Sequence, residues 1–136
     1  MKPSLQPGIS KTRRLVVDRE RTISFMGEEG RVYATPSLGR DIEHVCRDLI
    51  LEHADPGEDS VGVEITLRHL AATLPGMEVE ITATVTAVDG RKVTCDVSAK
   101  DEIEPIGAGT HTRFVVDVKK TIERLKAKAA KRAARA

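Results

Sequence analysis

The fold is decided by residues 36–53, which read PSLGRDIEHVCRDLILEH. Apolar side chains recur there at helical spacing and form one stripe: Leu38, Ile42, Val45, Cys46, Leu49 and Ile50. Pro36 suits a first helical turn, Thr35 or Ser37 can supply the capping hydroxyl, and the Asp-Pro-Gly run at 55–57 ends the helix. The pattern predicts one long amphipathic helix with a single face for a core.

Residues 60–118 alternate apolar and polar side chains, which is typical of antiparallel strands with one buried face. The apolar set is Val63, Ile65, Leu67, Met77, Val79, Ile81, Ala83, Val85, Ala87, Val93, Cys95, Val97 and Ala99. Turn signals interrupt the alternation at Pro75-Gly76 and Asp89-Gly90. A last strand is expected over residues 110–118.

The Asp89-Gly90 turn sets the register of its hairpin. A two-residue loop of these residues would pair Val85 with Thr94 and place the two apolar sets on opposite faces. A three-residue loop with Gly90 in the left-handed conformation pairs Val85 with Val93 and aligns them. We therefore predict the three-residue loop.

The two ends of the chain differ from this middle part. A short first strand is expected over residues 12–17. Residues 119–136 carry eight basic groups and one acid, whereas residues 1–118 hold 14 basic and 20 acidic groups. The end of the chain, rich in alanine, is predicted to form an exposed helix that frays. We therefore expect a domain at 1–118 and a basic C-terminal helix or tail at 119–136.

This order of elements predicts an α+β fold. The sheet has one apolar face, and only one substantial helix is available to cover it. A curved antiparallel sheet wrapped around one long central helix, plus a C-terminal helix, is the simplest arrangement. That arrangement is the hotdog fold.

The composition argues against several classes of protein. A chain of 136 residues is the size of one domain, and 40% apolar with 32% charged residues is typical of a soluble globular protein. Aromatic residues make up only 2%, so nucleic-acid binding by base stacking is not expected. No apolar run approaches the roughly 20 residues of a membrane span, and no secretory signal opens the sequence.

The two cysteines, Cys46 and Cys95, lack the spacing of a zinc or CxxC redox site. We expect both to be small core residues in a reducing compartment, which predicts a cytoplasmic protein. No metal site is expected.

His69 is the most informative polar residue. It stands in phase with Val63, Ile65 and Leu67, so its imidazole is expected on the buried side, where the helix lies. Two interpretations are open. His69 is either a core histidine bonded to a backbone carbonyl or a general base, whose ordinary pKa of about 6.5 suits proton transfer near neutral pH.

Two residues of the helix are further candidates. Glu43 falls on the edge of the apolar stripe, and is either a surface carboxylate or the acidic partner of an inward histidine. Thr35 is either a helix cap or, with the N–H groups of residues 37–39 at the positive end of the helix, part of a site for a developing oxyanion.

Two further stretches carry a resemblance to a known family. Residues 62–73 read GVEITLRHLAAT, and residues 107–113 read GAGTHTR. Together they resemble the fluoroacetyl-CoA thioesterase family of hotdog enzymes. That family uses a threonine, a glutamate eight residues later and a histidine 26 residues after the glutamate, and Thr35, Glu43 and His69 match this spacing.

The resemblance implies a set of roles. Thr35, Glu43 and His69 would be catalytic, and Gly62 would lie close to the bound thioester. Arg113 would meet a phosphate of coenzyme A or else be a surface residue, and His111 has no assigned chemistry. The substrate would be an acyl-CoA, with coenzyme A present only as part of it and no separate cofactor. The protein would be a homodimer with its active sites at the interface.

One departure from the family concerns its lid. The fluoroacetyl enzyme has phenylalanines just before the threonine, whereas residues 26–32 here contain none. Selectivity for fluoroacetyl groups is therefore not expected, and the acyl group stays open.

The favoured mechanism is hydrolysis of a thioester with His69 as general base and later acid. Glu43 orients the water or attacks as a nucleophile to give an anhydride, and the sequence does not separate these routes. Thr35 bonds to the reacting carbonyl or to Glu43. Two alternatives are a hotdog acyl-CoA hydratase or dehydratase, and a non-catalytic acyl-CoA or nucleic-acid-binding protein that uses the basic tail.

Overall fold

A computed structural model of the protein describes residues 1–135 as one antiparallel sheet with two helices. The strands are β1 (Ser10–Val16), β2 (Glu58–His69), β3 (Glu78–Asp89), β4 (Lys92–Lys100) and β5 (Pro105–Asp117), and the helices are α1 (Thr35–Leu51) and α2 (Val118–Ala134). Two 3-10 turns, Arg19–Arg21 and Glu28–Gly30, lie between β1 and α1. The predicted α+β element order is present, although β5 begins earlier than expected.

The five strands form one sheet in the order β1-β3-β4-β5-β2, and every neighbouring pair is antiparallel. Helix α1 packs on one face, and its whole predicted apolar stripe is buried. The side chains that it meets from β3 and β4 are Val79, Ile81, Ala83, Val85, Val93, Cys95 and Val97. Both cysteines are free and buried, as expected.

The hairpin between β3 and β4 differs from the prediction. Asp89 pairs with Lys92, so the loop consists of residues 90–91, the first of which is a glycine with φ +59°. A bulge after Val85 then shifts the register and pairs Val85 with Cys95. The apolar faces are aligned, but the extra residue lies in the strand and not in the loop.

The start of α1 also differs from the prediction. Its N-cap residue is Ala34, which makes no side-chain capping bond, and Thr35 is already inside the helix. Neither Thr35 nor Ser37 caps the helix. The N–H of Leu38 donates to the carbonyl of Ala34 at 3.0 Å, so it is not free to hold an oxyanion.

Strand β2 lies at an edge of the sheet and, within residues 1–135, pairs only with β5. A bulge after Gly62 leaves Val63 61% exposed, so the expectation that Val63 shares the inward phase of His69 is wrong. Further along β2, Ile65 keeps the predicted inward orientation towards α1. The Cδ1 atom of Ile65 lies 4.0 Å from the position that a Cβ on Gly39 of α1 would occupy.

Helix α2 follows β5 directly, and its N-cap Asp117 accepts a hydrogen bond from the N–H of Lys120 at 3.0 Å. No residue in Val118–Ala134 is buried, which confirms the expected exposed basic helix. Within residues 1–135, no helix has the length and apolar character needed to cross a membrane.

Candidate active site

Thr35 and His69 meet where α1 begins and β2 ends. The Oγ1 atom of Thr35 lies 2.7 Å from Nδ1 of His69, which is hydrogen-bonding distance. The Thr35 hydroxyl is thus bonded across the site to β2. Two of the three predicted catalytic residues are in direct contact.

The second ring nitrogen of His69, Nε2, is buried and has no hydrogen-bond partner within residues 1–135. Burial lowers the pKa of His69 from its ordinary value of 6.5, because a desolvated site disfavours the charged imidazolium. Burial therefore favours the neutral form of the ring. If Nδ1 donates to the Thr35 hydroxyl, Nε2 keeps a lone pair that can accept a proton.

The ring of Tyr33 packs edge-on against His69, with centroids 6.4 Å apart and an interplanar angle of 84°. Its hydroxyl donates to the buried carboxylate of Asp41, and Asp41 also accepts from Arg21 Nε at 2.9 Å. Burial, followed by the bond to Asp41, raises the pKa of Tyr33, so the phenol stays protonated. Sequence reasoning missed this network because no pattern linked residues 21 and 33 to the helix.

An apolar cavity of about 470 Å³ opens beside the Thr35–His69 pair. Its walls are Ile23, Phe25, Val32, Tyr33, Ala34, Thr35, His69, Leu70, Ala71 and Ala72. Only three of these side chains carry a polar group, and two of them are the pair itself. The cavity therefore suits an apolar group attached to a reacting centre at Thr35 and His69.

Glu43 lies away from this cavity. It is eight residues after Thr35, which corresponds to about 12 Å along the helix axis. Its carboxylate lies against β2, where a Cβ added to Gly62 would come within 2.6 Å of Oε1. Two predicted residues, Glu43 and Gly62, are thus brought together, but apart from Thr35 and His69.

Behind Glu43, the structure places two residues of the GTHTR segment. Nη1 of Arg113 and Nε2 of His111 each lie 3.9 Å from Oε1 of Glu43. Arg113 is only 6% exposed, so its interpretation as a surface residue is wrong. His111, to which the sequence gave no role, is 1% exposed. A buried histidine and arginine thus lie around one carboxylate.

The family model of the fluoroacetyl-CoA-specific thioesterases matches residues 17–119, which is most of the chain. The chain belongs to the fluoroacetyl-CoA thioesterase family. The fluoroacetyl-CoA thioesterase of Streptantibioticus cattleyicolor is 34% identical to it over 127 residues, which cover 88% of this chain and 91% of the relative.

Solved structures agree with this membership. A mutant of the fluoroacetyl-CoA-specific thioesterase FlK matches with a TM-score of 0.85 and 32% identity, over 93% of this chain and 99% of that one. A thioesterase superfamily member from Thermus thermophilus matches with a TM-score of 0.88 and 29% identity over 100% of both chains. The predicted family, the hotdog fold and the thioesterase class of activity are confirmed.

This member of the fluoroacetyl-CoA thioesterase family has an aromatic residue at the cavity that the sequence analysis missed. Residues 26–32 contain no phenylalanine, but Phe25 lines the cavity and is 82% exposed. The N–H of Ile23 donates to the carbonyl of Val32 at 3.0 Å, so the ends of this segment are joined and Phe25 is carried to the cavity. The position of Phe25 in the sequence relative to Thr35 gave no indication that it would reach the cavity.

Proposed function

We propose that this protein hydrolyses acyl-CoA thioesters at active sites that form between the two subunits of a homodimer. The observation that carries the proposal is the separation of the candidate residues along α1. Thr35 and His69 line one cavity, whereas Glu43 and Gly62 are in contact about two helical turns further on. In the proposed site, Thr35 and His69 of one subunit meet Glu43 of the partner subunit.

The free edge of β2 supports this assembly. Val61, Val63 and Ile65 on this edge strand are 46%, 61% and 39% exposed. An apolar edge strand is a template for pairing with another chain. We propose that two β2 strands pair antiparallel about a two-fold axis. A register centred just after Ile65 would place Gly62 opposite His69 of the partner subunit.

The proposed site has an apolar half-site, Thr35 and His69, and a charged half-site, Glu43 and Gly62 of the partner subunit. The mechanism uses each half-site for one task. Nε2 of His69 takes a proton from the attacking water, and the resulting imidazolium returns it to the departing sulfur of coenzyme A. The Thr35 hydroxyl accepts from Nδ1 of His69 and donates to the carbonyl oxygen of the substrate. This chain of bonds keeps His69 in the tautomer that a base needs.

Glu43 of the partner subunit fits either of two routes. Its carboxylate orients the water, which adds to the carbonyl carbon and expels the thiolate. Alternatively, the carboxylate itself attacks, the carbon–sulfur bond breaks, and water then hydrolyses the resulting anhydride to the acid and free Glu43. In both routes coenzyme A enters only as part of the substrate, and we propose no metal and no separate cofactor.

We further propose that the reaction takes place in the cytoplasm. The support is that Cys46 and Cys95 are both free thiols buried in the core, as expected in a reducing compartment.

The cavity beside His69 supports an acyl group larger than fluoroacetyl. Its walls are mainly aliphatic, and the aromatic rings of Phe25 and Tyr33 also line it. We expect acetyl-CoA and fluoroacetyl-CoA to be hydrolysed with little discrimination and larger apolar acyl groups to give higher kcat/KM. A strong preference for fluoroacetyl-CoA over every other substrate of a panel would contradict this expectation.

The composite site is tested by mixing two variants of low but measurable activity, His69→Ala and Glu43→Gln, after joint refolding. Half of the dimers formed would be mixed, and each would hold one intact site, so we expect about a quarter of wild-type activity. A mixture no more active than its parents would place each site within one chain. Thiol release from acyl-CoA should be seen without enoyl-CoA hydration, whereas hydration would indicate the hydratase alternative.

A further inference from the structure

Three polar residues lie behind Glu43 that the proposed mechanism does not use. Ser60, His111 and Arg113 are 5%, 1% and 6% exposed, respectively. Ser60 is on β2, and the other two are on β5. Burying a polar group costs free energy unless it is hydrogen-bonded, so these three residues are expected to make hydrogen bonds in the protein interior.

The guanidinium of Arg113 is held on two sides by one residue. Its Nε donates to Oγ of Ser60 at 2.7 Å, and its Nη2 donates to the carbonyl of Ser60 at 2.7 Å. This fork leaves Nη1 to face Nε2 of His111 at 3.3 Å and Oε1 of Glu43 at 3.9 Å. The third nitrogen is therefore aimed at the carboxylate.

The tautomer of His111 follows from its other contact. Its Nδ1 lies 2.8 Å from the carbonyl of Glu64, which can only accept, so Nδ1 carries the hydrogen. Burial, opposed by that bond, lowers the pKa of His111 and keeps the ring neutral. Its Nε2 then has a lone pair and accepts from Nη1 of Arg113.

We propose that Ser60 and His111 are positioning residues, which hold the Arg113 guanidinium against Glu43 and so fix its carboxylate beside Gly62. The proposal rests on the proposed function of Glu43. The Glu43 side chain is 42% exposed and flexible, so without a fixed cation it would sample other rotamers. Because Gly62 has no side chain, it leaves room for the Glu43 carboxylate. A Cβ there would lie 2.6 Å from Oε1 of Glu43 and 3.4 Å from Cε1 of His111.

The test is a double-mutant cycle on kcat with a hydrolysed acyl-CoA. His111→Leu removes the acceptor and should lower kcat by about tenfold or more, since a misplaced group about 1 Å away can cost up to about 100-fold. KM should change little, because the carboxylate acts in the transition state. His111→Gln keeps an acceptor near the position of Nε2 and should recover most of the activity.

The decisive comparison is made in the Glu43→Gln background. There His111→Leu should have no further effect on kcat, because the carboxylate that it positions is gone. An equal loss in both backgrounds, or no recovery with glutamine, would overturn the proposal and leave His111 a packing residue. His44→Leu, at an exposed position of α1, is the matched control and should keep wild-type kcat.

Ser60→Ala gives an independent test if His111→Leu does not fold. It removes one of the two bonds to Arg113 and should lower kcat by a few-fold in the wild-type background and not in Glu43→Gln. A wild-type protein that hydrolyses no acyl-CoA overturns the proposed function, and this inference with it. Hydrolysis combined with additive losses overturns the inference alone.

Discussion

The start and the middle of α1 provide opposite environments for the two half-sites. At its first residue, the helix adjoins an apolar cavity in which burial keeps His69 neutral. Two turns later it adjoins a buried arginine, 3.9 Å from the carboxylate of Glu43. A base needs the first environment and a carboxylate needs the second, because desolvation and nearby cations favour different protonation states. Separation along the helix lets one chain supply both.

The largest effect should come from the apolar half-site at the start of α1. His69→Ala removes the imidazole that lines the cavity and would act as the base, and kcat should fall by about 100-fold or more. The protein should stay folded, because the side-chain hydrogen bond that is lost, between Nδ1 and the Thr35 hydroxyl, lies at an exposed position, and Nε2 has no bond to lose within residues 1–135. Kinetics on a verified acyl-CoA check this, with circular dichroism for the fold. Activity within a few-fold of wild type would remove His69 from the mechanism.

At the charged half-site, Gly62→Ala should lower kcat by about tenfold with little loss of stability. The new Cβ would meet Oε1 of Glu43 at 2.6 Å, and the carboxylate, as the end of a flexible side chain, would move away. A displaced catalytic group of this kind costs about one to two orders of magnitude in rate.

Gly39→Ala is the matched control for that substitution. A Cβ at Gly39 would lie 3.9 Å from Leu67, which is an ordinary contact, so kcat should not change. Because alanine is the better helix former, the free energy of unfolding should rise by about 0.5–1 kcal/mol. Equal losses of kcat in the two variants would contradict the steric argument.

A smaller effect is expected from pH. The pKa of His69 is lowered by burial from 6.5, so the active neutral form persists as the pH falls to that value. Between pH 7.5 and 6.5, kcat/KM should therefore drop by less than about twofold, and the acid limb should have its midpoint below 6.5. A midpoint above 7 in the pH–rate profile would show that His69 is stabilised as the cation.

The sequence predicted the helix and the motif spacing better than it predicted the details of the sheet. The apolar stripe and the spacing of Thr35, Glu43 and His69 were readable, because helical periodicity and motif spacing are local properties. The hairpin register was not, because the bulge after Val85 leaves no mark in the alternation. The burial of Arg113 was missed as well, because a bond to Ser60 across two strands depends on a pairing that no spacing encodes.

The smallest effect should come from the far end of the chain, which touches neither half-site. No residue of α2 is buried, and Ile122 and Leu125 are 45% and 60% exposed. At roughly 25 cal/mol per Å² of buried apolar surface, so exposed a helix contributes at most a few kcal/mol to stability. Truncation after Lys126 should therefore leave folding and kcat nearly unchanged.

The same truncation separates a solvated helix from one that attracts the substrate. It removes four basic residues, Lys128, Lys131, Arg132 and Arg135. If α2 attracts the anionic coenzyme A, KM should rise, and more at low ionic strength, where charges are screened least. Full-length protein with these four residues changed to glutamine is the control and should show the same rise, because charge and not length is responsible. An unchanged KM at low salt would leave α2 without a part in substrate capture, and loss of folding would show that its contact with β5 stabilises the sheet.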